Sequence, residues 1–258
     1  MSVPLEVLTS YADDLLHNSD TPDYPNALNG LQLQNASPIR SVSGAVDFSL
    51  RSIDGAIANG SNLLITHHGM FWNGLQRITQ SAYQKLKRLI EADVAVYASH
   101  LPLDRHPILG NNALLAKALD LEPTGQFARF AELFIGLKGE CDVETEKLVA
   151  RAKKFSRAYG GEIRAPSIAR GHRTRQWAIC TGAGASSATV REAANAGIDT
   201  LIVGEGPHHT AVEAEENGLV IIYAGHYATE TLGVSALAQH LGERFGLPWH
   251  FVSAPTGL

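Results

Sequence analysis

The sequence predicts an α/β protein made of two related α/β halves with mainly parallel sheets. Two observations support this prediction. Short apolar segments typical of strands alternate with amphipathic segments typical of helices, and the alternation occurs twice along the chain. The length of 258 residues and the hydrophobic content of 45% are enough to bury a sizeable core. Alternating strands and helices favour parallel strands with helices packed on the sheet faces.

The N-terminal half begins with a helix and continues as strands separated by helices. Apolar residues between Leu5 and Leu16 have helical spacing, and a loop containing Asp and Pro follows them. The strands predicted next are Val42–Ala45, Leu63–Thr66 and Val94–Ala98, and the helices between them lie near Leu50–Ala58 and Ala82–Ala92.

The C-terminal half repeats this alternation. Its predicted strands are Trp177–Thr181, Thr200–Val203 and Leu219–Ala224, and its helices lie near Ala188–Ala196, Thr210–Glu216 and Leu232–Phe245. A strand-like segment, Leu133–Leu137, and a helix-like segment, Val143–Tyr159, lie between the two series. We therefore predict halves 1–126 and 127–258 with a soft boundary, which can also form one compact unit.

The two halves are similar in sequence as well as in their order of elements. Residues 59–69 align with residues 196–206, which pairs His68 with Glu205. Residues 97–104 align with residues 223–230, which pairs His100 with His226 and Asp104 with Glu230. Because residues capable of chemistry align too, an internal duplication is favoured over chance similarity of short strands.

The composition argues against several classes of protein. A formal net charge of -5 gives no overall attraction to nucleic acid or to an anionic membrane. Two cysteines, Cys141 and Cys180, are too few for a disulfide framework. No stretch approaches the roughly 20 apolar residues of a membrane helix, and since no cationic stretch leads into an apolar run near Met1 we expect no export. We expect a cytoplasmic protein.

Histidine and carboxylate residues follow the predicted strands, at the edge where open parallel sheets bind their ligands. These residues are His67, His68, His100, Asp104, Glu205, His208, His209, His226 and Glu230. Imidazole and carboxylate groups together are ligands of zinc, iron and manganese, and two ions need several such groups. We predict a site for two divalent metal ions between the halves, held by His67, His68, Asp104, His226 and Glu230.

A single histidine at a strand end is more often a packed or capping residue than a ligand. Several at equivalent strand ends are hard to explain by packing, because a buried polar group without a partner costs roughly 1–3 kcal/mol. Glu230 or Asp104 can bridge two ions while the histidines complete the coordination. His100 and Glu205 are candidates for proton transfer, and the imidazole pKa suits such work near pH 7.

Five motifs make the chain similar to a known family over nearly its whole length. They are Asn29–Gln32, Leu64–Gly69, His100–Asp104 with Gly110–Asn112, Gly204–His209 and Gly225–Glu230. With these motifs the chain resembles the GTP cyclohydrolase I type 2 homologue family, also called Nif-three-like. The chain departs from many relatives at Gly69, where they have Pro, and it is too short for the domain that some of them carry between the halves.

The resemblance implies a Nif-three-like fold of two similar halves and a dinuclear site at His67, His68, Asp104, His226 and Glu230, flanked by His100 and Glu205. It also implies a ring-shaped homohexamer arranged as a trimer of dimers. The family name suggests a purine nucleotide substrate.

Two segments outside the strand ends have alternative interpretations. The glycine-rich turn Thr181–Ser187 can cradle a phosphate at a helix N-terminus, but it lacks the known phosphate-loop spacings and is better explained as a turn with a serine cap. The basic segment Arg151–Arg175 is better explained as a solvated helix face with a loop, and its alternative role is to attract nucleic acid or phosphorylated ligands. Phe71 and Trp72 either pack as ordinary hydrophobic residues or form an aromatic wall for a substrate with a flat ring.

The leading hypothesis is a metal-dependent hydrolase that acts on a nucleotide-like or phosphorylated small molecule. The alternative is a metal-binding protein without turnover, such as a regulatory or metal-delivery protein. An open coordination position facing a pocket distinguishes the first from the second.

Overall fold

The computed structural model describes residues 1–166 and 168–258. Within them the chain forms two compact units. The first comprises Met1–Leu103 and Gly233–Ala254, and the second comprises Asp104–Leu232 and Pro255–Leu258. The halves 1–126 and 127–258 divide the chain at a different position, and that division stays a prediction.

The first unit contains one five-stranded sheet. Its elements are α1 (Leu5–Leu16), β1 (Gly30–Leu33), β2 (Val42–Asp47), α2 (Leu50–Ala58), β3 (Leu63–His68), α3 (Gln80–Glu91), β4 (Ala95–Ala98), the short α4 (Leu101–Asp104) at the segment's end, and later most of α9 (His226–Phe245) and β10 (Trp249–Phe251). The strand order is β1-β4-β3-β2-β10. Strands β4, β3, β2 and β10 are parallel, and β1 pairs with β4 in the antiparallel sense.

The second unit contains another five-stranded sheet. Its elements are α5 (Asn111–Ala118), β5 (Pro123–Phe130), β6 (Leu133–Glu144), α6 (Thr145–Ala158), β7 (Arg173–Cys180), α7 (Ser187–Asn195), β8 (Thr200–Val203), α8 (His208–Glu216), β9 (Val220–Tyr223) and the first residues of α9 (His226–Phe245). The strand order is β5-β6-β7-β8-β9. Strands β7, β8 and β9 are parallel, whereas β5, β6 and β7 pair in the antiparallel sense.

The same strand and helix pattern occurs once in each unit. In the first unit helices α2 and α3 connect three adjacent parallel strands, β2, β3 and β4. In the second unit helices α7 and α8 connect three more, β7, β8 and β9. The α/β prediction is confirmed. Each sheet is nevertheless mixed, because antiparallel strands extend the parallel core of the repeat.

The first helix of each repeat starts in the same way. The hydroxyl oxygen of Ser49 accepts a hydrogen bond from the backbone N–H of Ser52 at 3.1 Å, and that of Ser186 accepts one from Thr189 at 3.1 Å. A serine in this position satisfies one of the N–H groups that a helix leaves without an internal partner. The serine cap predicted for the glycine-rich turn is therefore present.

The central strands form the core of each unit. Leu63, Leu64 and Ile65 of β3 are fully buried, and so are Leu201 and Ile202 of β8. Continuous apolar runs of this kind are typical of parallel strands that are covered on both faces. This burial fixes the strand ends, and with them the residues that follow each strand.

Element boundaries differ from the sequence prediction in two places that matter for the site. Strand β3 continues through His68, so both histidines belong to the strand. Helix α9 begins at His226 rather than near Leu232, which places His226 and Glu230 one turn apart on a helix. Strands β1, β5 and β10 and the helices α4 and α5 are absent from the sequence prediction, because these segments are short or lack a clear apolar period.

Among the residues that the structure describes, no helix has both the length and the apolar character needed to cross a membrane.

The core position Ile202 tests this account of the fold. It is fully buried on β8 against Trp177 and its neighbours, so Ile202→Ala should lower the free energy of unfolding by about 2–5 kcal/mol. Chemical denaturation followed by circular dichroism measures the loss. Val212→Ala, at a position of α8 that is 45% exposed, should change it by less than about 0.5 kcal/mol. Equal losses in the two variants would contradict the burial described here.

Candidate metal centre

Three histidines of the first unit form a compact cluster. His67 and His68 end β3, and His100 follows β4, the neighbouring strand in the sheet. All three are buried, and each offers a ring nitrogen that lies within 4.8 Å of the others. Adjacent parallel strands therefore bring together residues that are far apart in the chain.

Each of these rings makes a hydrogen bond through Nδ1. The partners are the backbone oxygen of Ser99 for His67 at 3.1 Å, Asp47 Oδ1 for His68 at 2.9 Å, and Asp23 Oδ1 for His100 at 2.8 Å. A carbonyl or carboxylate oxygen only accepts, so each Nδ1 carries the proton and each neutral ring keeps its lone pair on Nε2. Metal-binding histidines in proteins are oriented in this way. The donor set fits a divalent ion.

His100 is held by two residues of the loop before β1. Asp23 accepts hydrogen bonds from His100, from the Asn29 side chain at 2.9 Å and from the Leu101 N–H at 2.9 Å. The Asn29 side-chain oxygen accepts the backbone N–H of His100 at 2.8 Å. Burial by itself would raise the pKa of Asp23, but His100 and the other donors bring it below the usual value for aspartate. The carboxylate is therefore ionised beside the imidazole.

The backbone after His68 is fixed by Gln32 of β1. A side chain at Gly69 would place its Cβ atom 2.4 Å from Gln32 Oε1 and 2.7 Å from the Ala98 Cβ. Gln32 Oε1 accepts the Met70 N–H at 2.6 Å, and its Nε2 donates to the Ala27 oxygen at 3.0 Å. The loop is closely packed at Gly69, and the glycine allows that approach.

Aromatic side chains lie against the histidine cluster. The Trp72 ring centroid is 4.4 Å from that of His100 and 4.7 Å from that of His68. Tyr24 lies 6.2 Å from Trp72 in an edge-on arrangement and 5.9 Å from His100. Trp72 thus covers two of the three histidines, whereas Phe71 is 37% exposed.

In the second unit a histidine lies between two carboxylates. Glu205 follows β8, and its Oε1 is 2.9 Å from Nδ1 of His226. Glu230 lies one helical turn after His226, with its Oε2 3.1 Å from His226 Nε2. Burial by itself would lower the pKa of His226, but Glu230 and Glu205 raise it to about 9. The carboxylates therefore favour a cation at this position.

Glycine at position 182 makes room for Glu230. Gly182 has φ +61°, and a Cβ atom there would lie 2.1 Å from Glu230 Oε1. The Gly182 N–H donates to the Thr229 hydroxyl at 3.0 Å, and its carbonyl oxygen accepts the Glu205 N–H at 2.8 Å. The glycine-rich turn thus positions two carboxylate residues in addition to starting α7.

Asp104 lies at the start of the second unit and is 7% exposed. Its Oδ1 accepts hydrogen bonds from the Asn111 side chain at 2.8 Å and from the Thr181 hydroxyl at 3.4 Å. Cys180, at the end of β7, is buried near it. Burial raises the pKa of the Cys180 thiol to about 12, and Asp104 contributes to the rise together with Glu230. The thiol is protonated at neutral pH.

The structure thus groups the predicted residues into two sets. The tri-histidine set is His67, His68 and His100 in the first unit, and the carboxylate set of the second unit is Asp104, Glu205, His226 and Glu230. Proton transfer by His100 and Glu205 stays a prediction. Metal binding by His67, His68, Asp104, His226 and Glu230 also stays a prediction, as does a site between the halves. His208 and His209 are exposed at the start of α8.

Several residues that orient the sets were missed by the sequence interpretation. Asp47 ends β2 and could have been found as one more carboxylate at a strand end. Asp23 lies in a loop without a periodic pattern, and the residues next to it in the sequence do not indicate that it contacts a histidine. The motif Asn29–Gln32 contains the two amide side chains that support the cluster, Asn29 and Gln32. Their roles depend on contacts with residues distant in the chain.

The basic segment Arg151–Arg175 has acidic neighbours from outside the segment. Arg151 lies 3.2 Å from Asp120, and Asp142 contacts both Arg173 and Arg175. These pairs agree with a solvated, partly neutralised face, and a role in nucleic-acid binding stays a prediction.

The chain is similar to known proteins over nearly its whole length. Residues 5–256 match the family described as Duf34/NIF3 (NGG1p interacting factor 3). A Deinococcus radiodurans protein named GTP cyclohydrolase 1 type 2 homolog is 38% identical over 242 residues, which are 91% of this chain and 88% of that protein. A Pyrococcus horikoshii protein of the same name is 36% identical over 251 residues, which are 97% of this chain and 98% of the relative.

Solved structures have the same fold. The protein ybgI, described as of unknown function, is 30% identical with a TM-score of 0.88, and a protein from Thermus thermophilus is 31% identical with a TM-score of 0.82. Each comparison covers 100% of this chain and 100% of the other. The resemblance expected from the sequence motifs is confirmed, and the chain belongs to the Duf34/NIF3 family.

Proposed function

We propose that the protein binds two divalent metal ions and hydrolyses a nucleotide-like or phosphorylated small molecule. His67, His68, Asp104, His226 and Glu230 are the proposed ligands, and zinc, iron and manganese are the candidate ions. One observation carries the proposal. Three buried histidines converge, two of them proposed ligands, and each has its Nδ1 hydrogen bonded to an oxygen acceptor, which leaves its Nε2 with a lone pair that a metal ion can accept.

Divalent ions in such a site supply Lewis-acid activation of water and polarise a carbonyl or phosphoryl group. The protein's own residues then have two tasks. Asp47 and Asp23 fix the orientation of His68 and His100 through the Nδ1 hydrogen bonds. The carboxylates of the second unit supply negative charge, which a cation requires.

Glu205 is the proposed proton carrier. Its side chain is 46% exposed, while Oε1 bonds to His226 at 2.9 Å. An exposed carboxylate next to a ligand can accept a proton from a reacting group and pass it to solvent. His100 is the second candidate for this role, although its place in the tri-histidine set also suits a ligand.

The substrate class is inferred from chemistry and from the relatives. The curated relatives carry the name GTP cyclohydrolase 1 type 2 homolog, and a nucleotide is a phosphorylated molecule with a flat ring. Trp72 offers an aromatic face beside the tri-histidine set, and an aromatic surface is compatible with a substrate that contains a flat ring.

The proposal includes the quaternary state and location implied by the family resemblance. These are a homohexamer arranged as a trimer of dimers, and the cytoplasm.

Removal of His68 tests the proposal. His68→Ala removes one proposed ligand, so metal bound per chain, measured by inductively coupled plasma mass spectrometry, should fall by at least half. Hydrolysis of a panel of nucleotides and phosphoesters by metal-loaded protein should fall about 100-fold or more. The far-ultraviolet circular dichroism spectrum should not change.

The matched control is His209→Ala, which removes an exposed histidine of α8. This variant should retain both metal and turnover. Wild-type protein that keeps its metal but hydrolyses nothing in the panel would favour the alternative of a metal-binding protein without turnover. Full metal retention in His68→Ala would contradict the proposed ligand set.

Substitution of Gly182 tests whether Glu230 is a ligand. Gly182→Ala adds a Cβ atom 2.1 Å from Glu230 Oε1, which must displace that carboxylate. The affinity for metal, measured by competition with a chelating dye, should fall by about 10-fold to 100-fold, the range seen when support of a metal ligand is lost.

Gly197→Ala is the control for backbone strain. Gly197 has φ +70°, close to that of Gly182, but a Cβ atom there would have no heavy atom within 4 Å. Both variants should lose stability because alanine disfavours this conformation. Only Gly182→Ala should lose metal affinity, and an equal loss in both would show that strain rather than displacement of Glu230 is responsible.

A further inference from the structure

A cleft in the second unit opens beside Glu205. It has a volume of about 550 Å³, and its lining includes Arg164, Glu205, Pro207, Ala211 and Tyr223. Pockets for small molecules generally occupy about 300–1,000 Å³ and combine apolar walls with a few polar groups. This cleft has the size and composition of such a pocket.

The walls of the cleft are tied together by hydrogen bonds. Arg164 and Tyr223 exchange backbone hydrogen bonds of 2.9 and 2.8 Å, which attach the residue 164 segment to the end of β9. The Tyr223 hydroxyl lies 2.7 Å from the Thr210 hydroxyl in α8. Hydrogen bonds thus join three of the segments that line the cleft, at Arg164, Thr210 and Tyr223.

The polar groups of the cleft differ in charge. Arg164 is exposed, and its guanidinium cation donates a hydrogen bond to the Ile163 carbonyl oxygen at 3.0 Å. Glu205 has a carboxylate whose Oε1 lies 2.9 Å from His226 Nδ1. The lining also contains two prolines, two alanines and Tyr223. A guanidinium recognises phosphate or carboxylate through paired hydrogen bonds, and flat apolar walls suit a planar ring.

We propose that this cleft binds the substrate as a planar ring that carries an anionic group, with the anion at Arg164 and the ring between Pro207 and Tyr223. The inference rests on the proposed function, since it gives the hydrolase its substrate class. Glu205 then faces the bound molecule and contacts His226, so the same carboxylate joins the cleft to the carboxylate set.

The test measures binding without turnover. Isothermal titration calorimetry of the full chain uses guanosine 5′-monophosphate (GMP) as the probe, with guanosine and inorganic phosphate for comparison. GMP should bind at least tenfold more tightly than guanosine, because only GMP places an anion at Arg164. Arg164→Gln should reduce GMP binding to the level of guanosine, whereas Arg191→Gln, an exposed arginine of α7, should not.

A second pair of variants tests the cleft walls. Ala211→Phe fills the cleft and should weaken GMP and guanosine alike by tenfold or more. Val212→Phe, at the next and exposed position of α8, should leave both unchanged. The proposal is overturned if GMP shows no saturable binding at millimolar concentration, if GMP binds no tighter than guanosine, or if Arg164→Gln and Ala211→Phe bind GMP like their controls.

Metal analysis of the same samples separates this inference from the proposed function. If the protein retains metal and turnover but Arg164→Gln does not change GMP binding, the proposal for the cleft is wrong and the proposed hydrolase function still stands. If GMP binding depends on Arg164 but the protein has neither metal nor turnover, the proposal for the cleft is supported and the proposed hydrolase function is wrong.

Discussion

The hydrogen bonds at Nδ1 of three buried histidines are the interactions on which the arrangement of the first unit depends. Ser99, Asp47 and Asp23 supply the acceptors, and each lies close to the end of a strand or in the loop before β1. Without these acceptors, burial of three imidazoles would leave polar groups unpaired at a cost of roughly 1–3 kcal/mol each. The same bonds leave every Nε2 with its lone pair, so the requirement for stability and the requirement for metal binding coincide.

Two glycines allow the backbone to come close to these side chains. Gly69 admits Gln32, which holds the chain after His68, and Gly182 admits Glu230. Any side chain at either position would displace a group that orients the cluster or belongs to it. Glycine in these turns therefore serves close packing against polar side chains, which explains the glycine-rich segment after β7 without a bound phosphate.

The sequence predicts the parts of this molecule that follow from periodicity. The limits of α1, α2 and β8 agree with the prediction residue for residue, because each has a clear apolar pattern and a defined cap or turn. The strand-end histidines follow from the same pattern. The partners of those histidines do not, since Asp23 reaches His100 from 77 residues away. Contacts of that kind depend on the order of strands in the sheet, which local residue patterns do not encode.

The aligned positions carry different residues in the two units, and this difference has an electrostatic consequence. The alignment pairs His68 with Glu205 and His100 with His226. The tri-histidine set is neutral when its rings are unprotonated, whereas in the carboxylate set Glu205 and Glu230 both contact His226. Divalent cations are attracted by the second set through charge and by the first through imidazole donors. One chain thus carries two chemically distinct sets of candidate ligands, one built from imidazoles and the other rich in carboxylates.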